Sequence, residues 1–193
     1  ADIIAASAAD YDGDGDLDIF GGGVNTMNVF WSSNQASDFT IEKIPMGAVH
    51  SHVVRLDLAA DGRPDFVVSD SELPGLLTLR GAVDAPFEKA AVVPTVSAYT
   101  LLAVDLDEDG DSDLAAASSG DRFFTYRNDD GVLVPDLEFP HPNEEGGGGV
   151  VAGDFNGDGR LDTSFRTATT RMIRAESRFS ARHRKAPTRS VAG

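Results

Sequence analysis

One nine-residue segment rich in aspartate occurs four times in the chain. The four copies are residues 10–18, 57–65, 105–113 and 154–162, and their first residues lie 47, 48 and 49 residues apart. Carboxylate, amide and carbonyl oxygens are the ligands that hard cations prefer, and Ca²⁺ accepts about 6–8 of them in flexible geometry. Soft metals would favour cysteine or histidine instead. The four segments are therefore candidate calcium-binding loops.

The order of residues within the segments supports this interpretation. Positions 1, 3, 5 and 9 can offer side-chain oxygens, and position 7 can offer its backbone carbonyl. Position 6 is glycine in every copy, which allows a left-handed backbone around an ion at little steric cost. Position 2 is apolar or aromatic, and we expect it to point into the core in each copy (Tyr11, Leu58, Leu106 and Phe155).

An EF-hand is the main structural alternative for such a loop. An EF-hand requires a bidentate glutamate at position 12 and a helix on either side of the loop. Position 12 is Gly21, Val68, Ala116 and Phe165 in the four copies, and the flanking residues have the character of strands. The sequence therefore argues against an EF-hand.

Short apolar segments around the loops indicate strands. They precede three loops at 52–56, 101–104 and 150–152, and they follow three loops at 19–20, 66–68 and 114–117. Further candidates, most of them bounded by Gly, Asn, Asp or Pro, are 28–31, 39–44, 76–79, 90–93, 123–126 and 132–134. Four strands in each repeat correspond to one four-stranded propeller blade. We predict an all-β fold of about three to four β-propeller-type blades, which is an incomplete propeller.

The Asp-x-Asp-x-Asp-Gly-x-x-Asp loops between strands resemble the FG-GAP/VCBS repeat family, and integrin α-subunit propellers carry related calcium loops. The resemblance covers about residues 1–163 and implies Ca²⁺ as the bound ion. It implies three complete ligand sets, with carbonyl oxygens from position 7: Asp10, Asp12, Asp14, Asp16 and Asp18; Asp105, Asp107, Asp109, Asp111 and Asp113; and Asp154, Asn156, Asp158, Arg160 and Asp162. The family serves adhesion, surface display and polysaccharide-active enzymes alike, so the motif does not decide the function.

The second copy departs from the pattern, because Ala59 occupies a ligand position. It keeps only Asp57, Asp61 and Asp65, and we expect it to bind weakly or not at all. The alternative for all four copies is a solvated turn, since Asp and Gly favour turns. A turn needs only one or two such residues, whereas the first and third copies place at least five carboxylates within nine residues. A cation would relieve their repulsion, so we expect a structural role for the metal.

Charge is distributed unevenly along the chain, whose formal net charge is −16. Residues 1–163 hold 31 acidic and 8 basic residues, which gives −23, while residues 164–193 hold 1 acidic and 8 basic residues, which gives +7. The acidic body repels nucleic acid, so we expect no nucleic-acid partner. No apolar run approaches the ~20 residues of a membrane helix, so we expect no membrane insertion. The absence of cysteine excludes disulfides and thiolate metal sites.

We place a domain boundary after residue 163. Residues 164–193 are interpreted as a basic tail that is disordered or not native to the fold, and a weakly amphipathic helix from Arg171 is an alternative. The run Gly146–Gly149 is interpreted as a flexible connection between blades. Because the chain starts at Ala1 without a leader, we interpret it as a processed chain or a piece of a longer protein.

These features favour a calcium-stabilised module of an extracellular or cell-surface protein that binds a glycan or a protein. The alternatives are a fragment of a lyase-like, polysaccharide-active propeller enzyme and a truncated gene product without function. No nucleophile, phosphate-loop or zinc motif is found, although His50, His52 and Arg55 could converge with other blades. An open arc of blades would leave strand edges exposed, which favours self-association.

Overall fold

The computed structural model describes residues 3–10, 15–32, 39–70, 75–81, 87–94, 98–118, 122–140, 147–167 and 172–175. These residues form strands joined by turns, and none of them lies in a helix that could cross a membrane. The strands are β1 Ile3–Ala9, β2 Asp18–Ser32, β3 Phe39–Leu56, β4 Asp65–Asp70, β5 Gly75–Gly81, β6 Phe87–Pro94, β7 Ala98–Val104, β8 Asp113–Ser118, β9 Arg122–Asp129, β10 Val132–Pro140, β11 Gly147–Gly153, β12 Asp162–Thr167 and β13 Met172–Ala175.

The strands pair in sequence order into antiparallel sheets of six, four and three strands, and the long β3 divides the six-stranded sheet into two parts, which are called the first and second sheets below. The first sheet contains β1, β2 and the part of β3 up to Val49, and the second contains the rest of β3 with β4, β5 and β6. The third sheet contains β7 to β10, and the fourth contains β11, β12 and β13. Each sheet is therefore a sequential meander like a propeller blade, and the predicted all-β architecture of an incomplete propeller is confirmed. The second and third sheets have the four predicted strands, whereas the described residues of the first and fourth sheets form three strands each.

Every aspartate-rich loop has the same place in its sheet. The four loops join β1 to β2, β3 to β4, β7 to β8, and β11 to β12. Each loop thus connects the first two strands of a blade, as the flanking apolar segments predicted. All the predicted strand segments lie within observed strands. The loops are therefore held at corresponding ends of four paired strands.

Apolar cores lie between successive sheets, because strand residues alternate between the two faces. In β4, Phe66 and Val68 pack toward the first sheet, while Val67 between them packs toward the third. Between the first and second sheets, the rings of Phe20 and Phe66 stack with centroids 4.0 Å apart, and Phe87 meets both rings edge-on. The second sheet is consequently buried on both faces.

The third sheet is buried in the same way. Leu114 and Ala116 of β8 join the core shared with the second sheet, whereas Ala115 joins a core with Val150 of the fourth sheet. Three cores in series therefore connect the four sheets.

The fourth sheet differs from two expectations. Gly147 to Gly149 form the start of β11 rather than a flexible connection, because the backbone pairs with β12. The sheet also continues past residue 163, since β12 runs to Thr167 and pairs with β13. Thr163 and Thr167 suit a strand because β-branched residues favour extended backbone. The character of residues 176–193, which lie outside the described residues, stays a prediction.

A buried asparagine connects the second sheet to the third. Asn128 Nδ2 donates to the carbonyl of Leu58, 3.1 Å away in the second loop, and Asn128 Oδ1 accepts from Gly131 N at 2.9 Å. The backbone N–H of Asn128 also donates to Asp113 Oδ1 at 2.8 Å. One side chain therefore joins a loop of one blade to a turn of the next.

We expect Asn128→Ala to lower the free energy of unfolding by about 1–3 kcal/mol, because it leaves the buried carbonyl of Leu58 and the N–H of Gly131 without their partners. Urea denaturation measures the change. Asp129→Ala, at an exposed neighbour, is the control and should change stability by less than about 0.5 kcal/mol. Equal stability of the two variants would contradict the assigned role of Asn128.

Candidate metal centre

A shared hydrogen bond closes all four loops. The glycine N–H at position 6 donates to the aspartate at position 1, over N–O distances of 3.1, 2.8, 3.1 and 2.8 Å along the chain. These glycines have φ between +82° and +99°, a region that favours glycine. The predicted left-handed glycine is therefore present in every loop, and it folds the chain back over its first carboxylate.

The third loop gathers three carboxylates. Oxygen atoms of Asp105, Asp107 and Asp109 lie within 4.8 Å of one another, and no other group of at least three acidic or histidine side chains occurs in the described part of the chain. Asp105 Oδ1 and Asp107 Oδ1 are buried and have no hydrogen-bond partner. Buried polar atoms normally find a partner, so these two oxygens fit a site for a cation.

The electrostatics of the third loop are unfavourable without a cation. The pKa of Asp107 is raised, first by burial and then by the negative charge of Asp109, with a smaller contribution from Asp105. Like charges at such short range repel one another. A divalent cation would reverse this penalty, since it attracts all three carboxylates.

The aspartate at position 9 has a role in the loop that the sequence did not indicate. Asp113 Oδ2 accepts from Leu106 N at 2.8 Å, while its other oxygen accepts from Asn128. Asp65 is bonded similarly, to Leu58 N at 2.8 Å and to Gly81 N at 2.9 Å. These buried carboxylates thus tie each loop to the third strand of its own sheet. Asp113 lies outside the trio, and its role as a ligand stays a prediction.

The second loop has a neutralised carboxylate. The backbone N–H of Arg63, and then its guanidinium, donate to Asp61, and these contacts lower the pKa of Asp61. Asp57 accepts from Asp61 N and Gly62 N, and Ala59 supplies no ligand. The structure therefore brings no three carboxylates together in this loop, and its weak affinity for a cation stays a prediction.

In the fourth loop, the side-chain oxygens of Asp154 and Asp158 accept hydrogen bonds from other groups of the same loop. Asp154 accepts backbone N–H groups, Gly159 foremost, which lowers its pKa. Asn156 Nδ2 donates to Asp158 Oδ2 at 2.9 Å, and Arg160 N donates to Asp158 Oδ1 at 2.9 Å. A cation would have to replace some of these bonds. Asp162 accepts from Phe155 N at 3.2 Å, as the corresponding aspartates do elsewhere.

The first loop is described only in part. Asp12, Asp14 and Tyr11 lie outside the described residues, so the proximity of its carboxylates stays a prediction. Asp10 is bonded to Gly15, and Asp18 is buried at position 9.

Position 2 points into the core in two loops but not in a third. Leu58 and Leu106 are 2% and 4% exposed, as we predicted, whereas Phe155 is 48% exposed. Phe155 is exposed because no described sheet packs beyond the fourth. The burial of position 2 thus depends on the neighbouring sheet.

The backbone is also left-handed at position 4 of the loop, where the sequence analysis did not predict it. Ala60 and Glu108 have φ of 52° and 62°, and Gly157 has φ of 78°. The available signal was the glycine at this position in the first and fourth loops, Gly13 and Gly157. A side chain in this region costs about 1–2 kcal/mol.

We expect Ala60→Gly to raise the free energy of unfolding by about 0.5–1 kcal/mol, because it relieves the left-handed strain at a modest entropic cost. The matched control is Ala59→Gly, one residue earlier and also exposed, where φ is not positive. That change should lower stability by about 0.5–1 kcal/mol. Denaturation in the presence of chelator measures the free energy of unfolding of both variants. A change of the same sign in both would refute the argument from left-handed strain.

Asp113 should make metal-free stability depend on pH. Burial raises the pKa of Asp113 to about 6 from the usual 3.8. A raised carboxyl pKa means that the folded state holds its proton more tightly, so this contribution to stability is present below pH 4 and lost as pH rises to 6. The change is at most about 3 kcal/mol, from 1.36 kcal/mol for each pKa unit.

The comparison with Asp113→Asn isolates this effect, because the amide does not titrate. In chelator, the stability of the unsubstituted chain relative to Asp113→Asn should fall between pH 4 and pH 6 and stay level from pH 7 to 8. A relative stability that is constant from pH 4 to pH 8 would show that Asp113 titrates normally.

The basic residues near the second loop lie on β3. His52 is half-buried, Arg55 is exposed, and the side chain of His50 is outside the described part. Burial lowers the pKa of His52, and its Nδ1 has no hydrogen-bond partner. The structure does not join His52 with other acidic or histidine residues into a ligand group within the described ranges.

Comparison with known proteins agrees with this geometry. The model of the FG-GAP-like repeat matches residues 10–70 and 105–163. No curated protein matches the chain. Among solved structures, 45 chains match, and one is the biofilm matrix protein Bap1 of V. cholerae, with a TM-score of 0.54 and 16% identity. That match covers 83% of this chain and 23% of Bap1, so the chain spans about a quarter of its length.

Proposed function

Because the chain belongs to the FG-GAP-like repeat family, we propose that it is a calcium-stabilised repeat module of an extracellular or cell-surface protein. The matched regions together contain all four aspartate-rich loops. In this proposal the metal serves the fold, and the loops and sheet surfaces provide contacts for a glycan or protein ligand.

The observation that carries the proposal is the acidic trio of the third loop. Two of its buried oxygens have no hydrogen-bond partner, and the three carboxylates repel one another. Ca²⁺ suits such a set, because it binds oxygen ligands in flexible geometry. Asp105, Asp107 and Asp109 would hold the ion, with the Asp111 carbonyl and Asp113 as the further ligands expected from the motif. Binding to the folded chain alone would stabilise it.

The metal would act on more than one blade. Asp113 is bonded to Asn128, and Asn128 is bonded to Leu58 of the preceding sheet. An ion that orders the third loop would therefore also order the contact between the second and third sheets. This explains how local binding would raise the stability of the whole stack.

A surface or matrix location is supported indirectly. The structurally similar Bap1 is a biofilm matrix protein, and a chain without cysteine gains from a metal where disulfides are absent. The acidic loops occupy corresponding ends of the sheets, so a protein or glycan partner would approach them together with their bound cations. Glycan arrays with and without Ca²⁺ test this ligand class.

We expect Ca²⁺, added to protein from which metal has been removed with chelator, to raise the melting temperature. Binding should saturate at about three ions per chain, one for each complete ligand set. Asp107→Asn should weaken Ca²⁺ binding by the third loop at least about tenfold, because it replaces a charged ligand with a neutral amide. Glu108→Gln is the matched control, since it removes one negative charge from an exposed neighbour outside the trio. Calorimetric titration measures both variants.

An absence of binding and of any melting shift would refute the calcium role. Equal weakening by Asp107→Asn and Glu108→Gln would mean that the loop attracts cations only through its overall charge. Saturation at one site, lost in Asp107→Asn, would confine the structural role to the third loop.

A further inference from the structure

The carboxylates of the second loop accept hydrogen bonds from the chain on all of their oxygens. Asp57 and Asp65 each accept a backbone N–H on both oxygens. Asp61 Oδ1 accepts from Arg63 N at 3.0 Å, and its Oδ2 accepts from Nε and Nη2 of the same arginine. The third loop differs, because two of its buried carboxylate oxygens have no hydrogen-bond partner.

The second loop also has a positive charge of its own. The guanidinium of Arg63 forms an ion pair with Asp61, and the two side chains are 46% and 34% exposed. The backbone N–H of Arg63 and then its guanidinium lower the pKa of Asp61, and the charge of Arg80 on β5 adds a smaller contribution. A guanidinium on the same chain competes with any free cation for this carboxylate, because the tether keeps it at a high effective concentration.

The aspartate at position 5 has a different second partner in each loop. Its Oδ1 accepts the N–H of position 7 in the second, third and fourth loops, over 3.0, 3.1 and 2.9 Å. In the fourth loop, Asp158 Oδ2 accepts the side-chain amide of Asn156 at position 3. Position 3 of the second loop is Ala59, which has no polar side chain, and Asp61 Oδ2 accepts Arg63 instead. In the third loop this residue belongs to the acidic trio.

We infer that the second loop is a metal-independent copy of the motif, in which the guanidinium of Arg63 takes the place of a bound cation. The residues of this loop do not fit Ca²⁺, because position 3 offers no ligand and the three carboxylates already have donors from the chain. The comparison with calcium-loaded loops rests on the proposed function, whereas the role of the ion pair in the metal-free chain does not.

The second loop contacts the third sheet, so its independence of metal affects the junction between the two sheets. The carbonyl of Leu58 accepts from Asn128 Nδ2, and Arg80 Nη2 donates to the carbonyl of Gly131. An added Cβ at Gly131 would lie 3.3 Å from the carbonyl oxygen of Leu58, so the two backbones lie close together. Loss of metal would loosen the third loop, while the second loop would keep its own side of this junction ordered.

Hydrogen–deuterium exchange of the full chain in chelator tests the role of Arg63 without metal. Arg63→Gln should speed exchange of the amides of residues 61–63 by about two- to fivefold, which is the scale of an exposed ion pair. The control is Arg122→Gln, which removes a similarly exposed arginine that pairs with Glu138 in the third sheet. It should leave the exchange of residues 61–63 unchanged. In the unsubstituted chain, Ca²⁺ should slow exchange in residues 105–113 but not in residues 61–63.

Calorimetric titration with Ca²⁺ tests whether Arg63 competes with the ion. Ala59→Asp supplies the missing ligand and should add one weak site to those of the unsubstituted chain. Ala59→Asp/Arg63→Gln should bind this additional ion roughly tenfold more tightly, because no guanidinium has to leave Asp61. The control is Arg160→Gln at the same position of the fourth loop, where the carboxylate accepts an amide. It should change the affinity of that loop by less than about threefold, since only a screened charge is lost.

The two experiments separate this inference from the proposed function. An absence of Ca²⁺ binding in every variant would refute the proposed function, and the exchange in chelator would still decide the role of Arg63. Equal exchange of residues 61–63 in Arg63→Gln and Arg122→Gln would overturn the inference. Protection of residues 61–63 by Ca²⁺ in the unsubstituted chain, or equal gains in affinity from Arg63→Gln and Arg160→Gln, would also overturn it. Thermal melts establish that each variant is folded.

Discussion

Burial of strands on both faces is the constraint on which the rest of the structure depends. A single antiparallel sheet of this length has two apolar faces and cannot cover either one itself. Stacking solves the problem because the face of one sheet packs against the next, as Phe66 and Val67 of one strand show by entering different cores. The stack therefore gains stability with each added sheet.

The aspartate loops make this stacking compatible with tight turns. In each loop the first aspartate accepts the N–H of the glycine at position 6, and the aspartate at position 9 binds backbone groups, as Asp65 and Asp113 show in two of the sheets. These two carboxylates hold the loop backbone in place without any ion. The carboxylates at position 5 also accept the backbone N–H of position 7, as Asp61 and Asp109 do, but in the third loop Oδ1 of Asp107 at position 3 has no hydrogen-bond partner and is available for a cation.

The loops differ in how many of their carboxylate oxygens accept hydrogen bonds from groups of the same loop. Arg63 neutralises Asp61 in the second loop, and backbone N–H groups surround Asp154 in the fourth. The third loop alone, among those fully described, combines three close carboxylates with buried oxygens that lack a hydrogen bond. The same motif therefore gives loops that differ in their electrostatics. A different residue at a neighbouring position, such as Arg63, changes which hydrogen-bond donor each carboxylate oxygen contacts.

The sequence by itself determined the repeat, the strand segments and the position of each loop between strands, because period-two alternation and glycine-containing loops are local signals. It also identified Asp105, Asp107 and Asp109, since their spacing within one loop brings them together. Only the tertiary structure decided that Leu58 is buried while Phe155 is exposed, because the burial of each depends on whether another sheet packs against it. The contact of Asn128 with Leu58 was equally beyond the sequence, since it joins residues 70 positions apart. Sheet stacking, and not loop chemistry, sets these long-range partners.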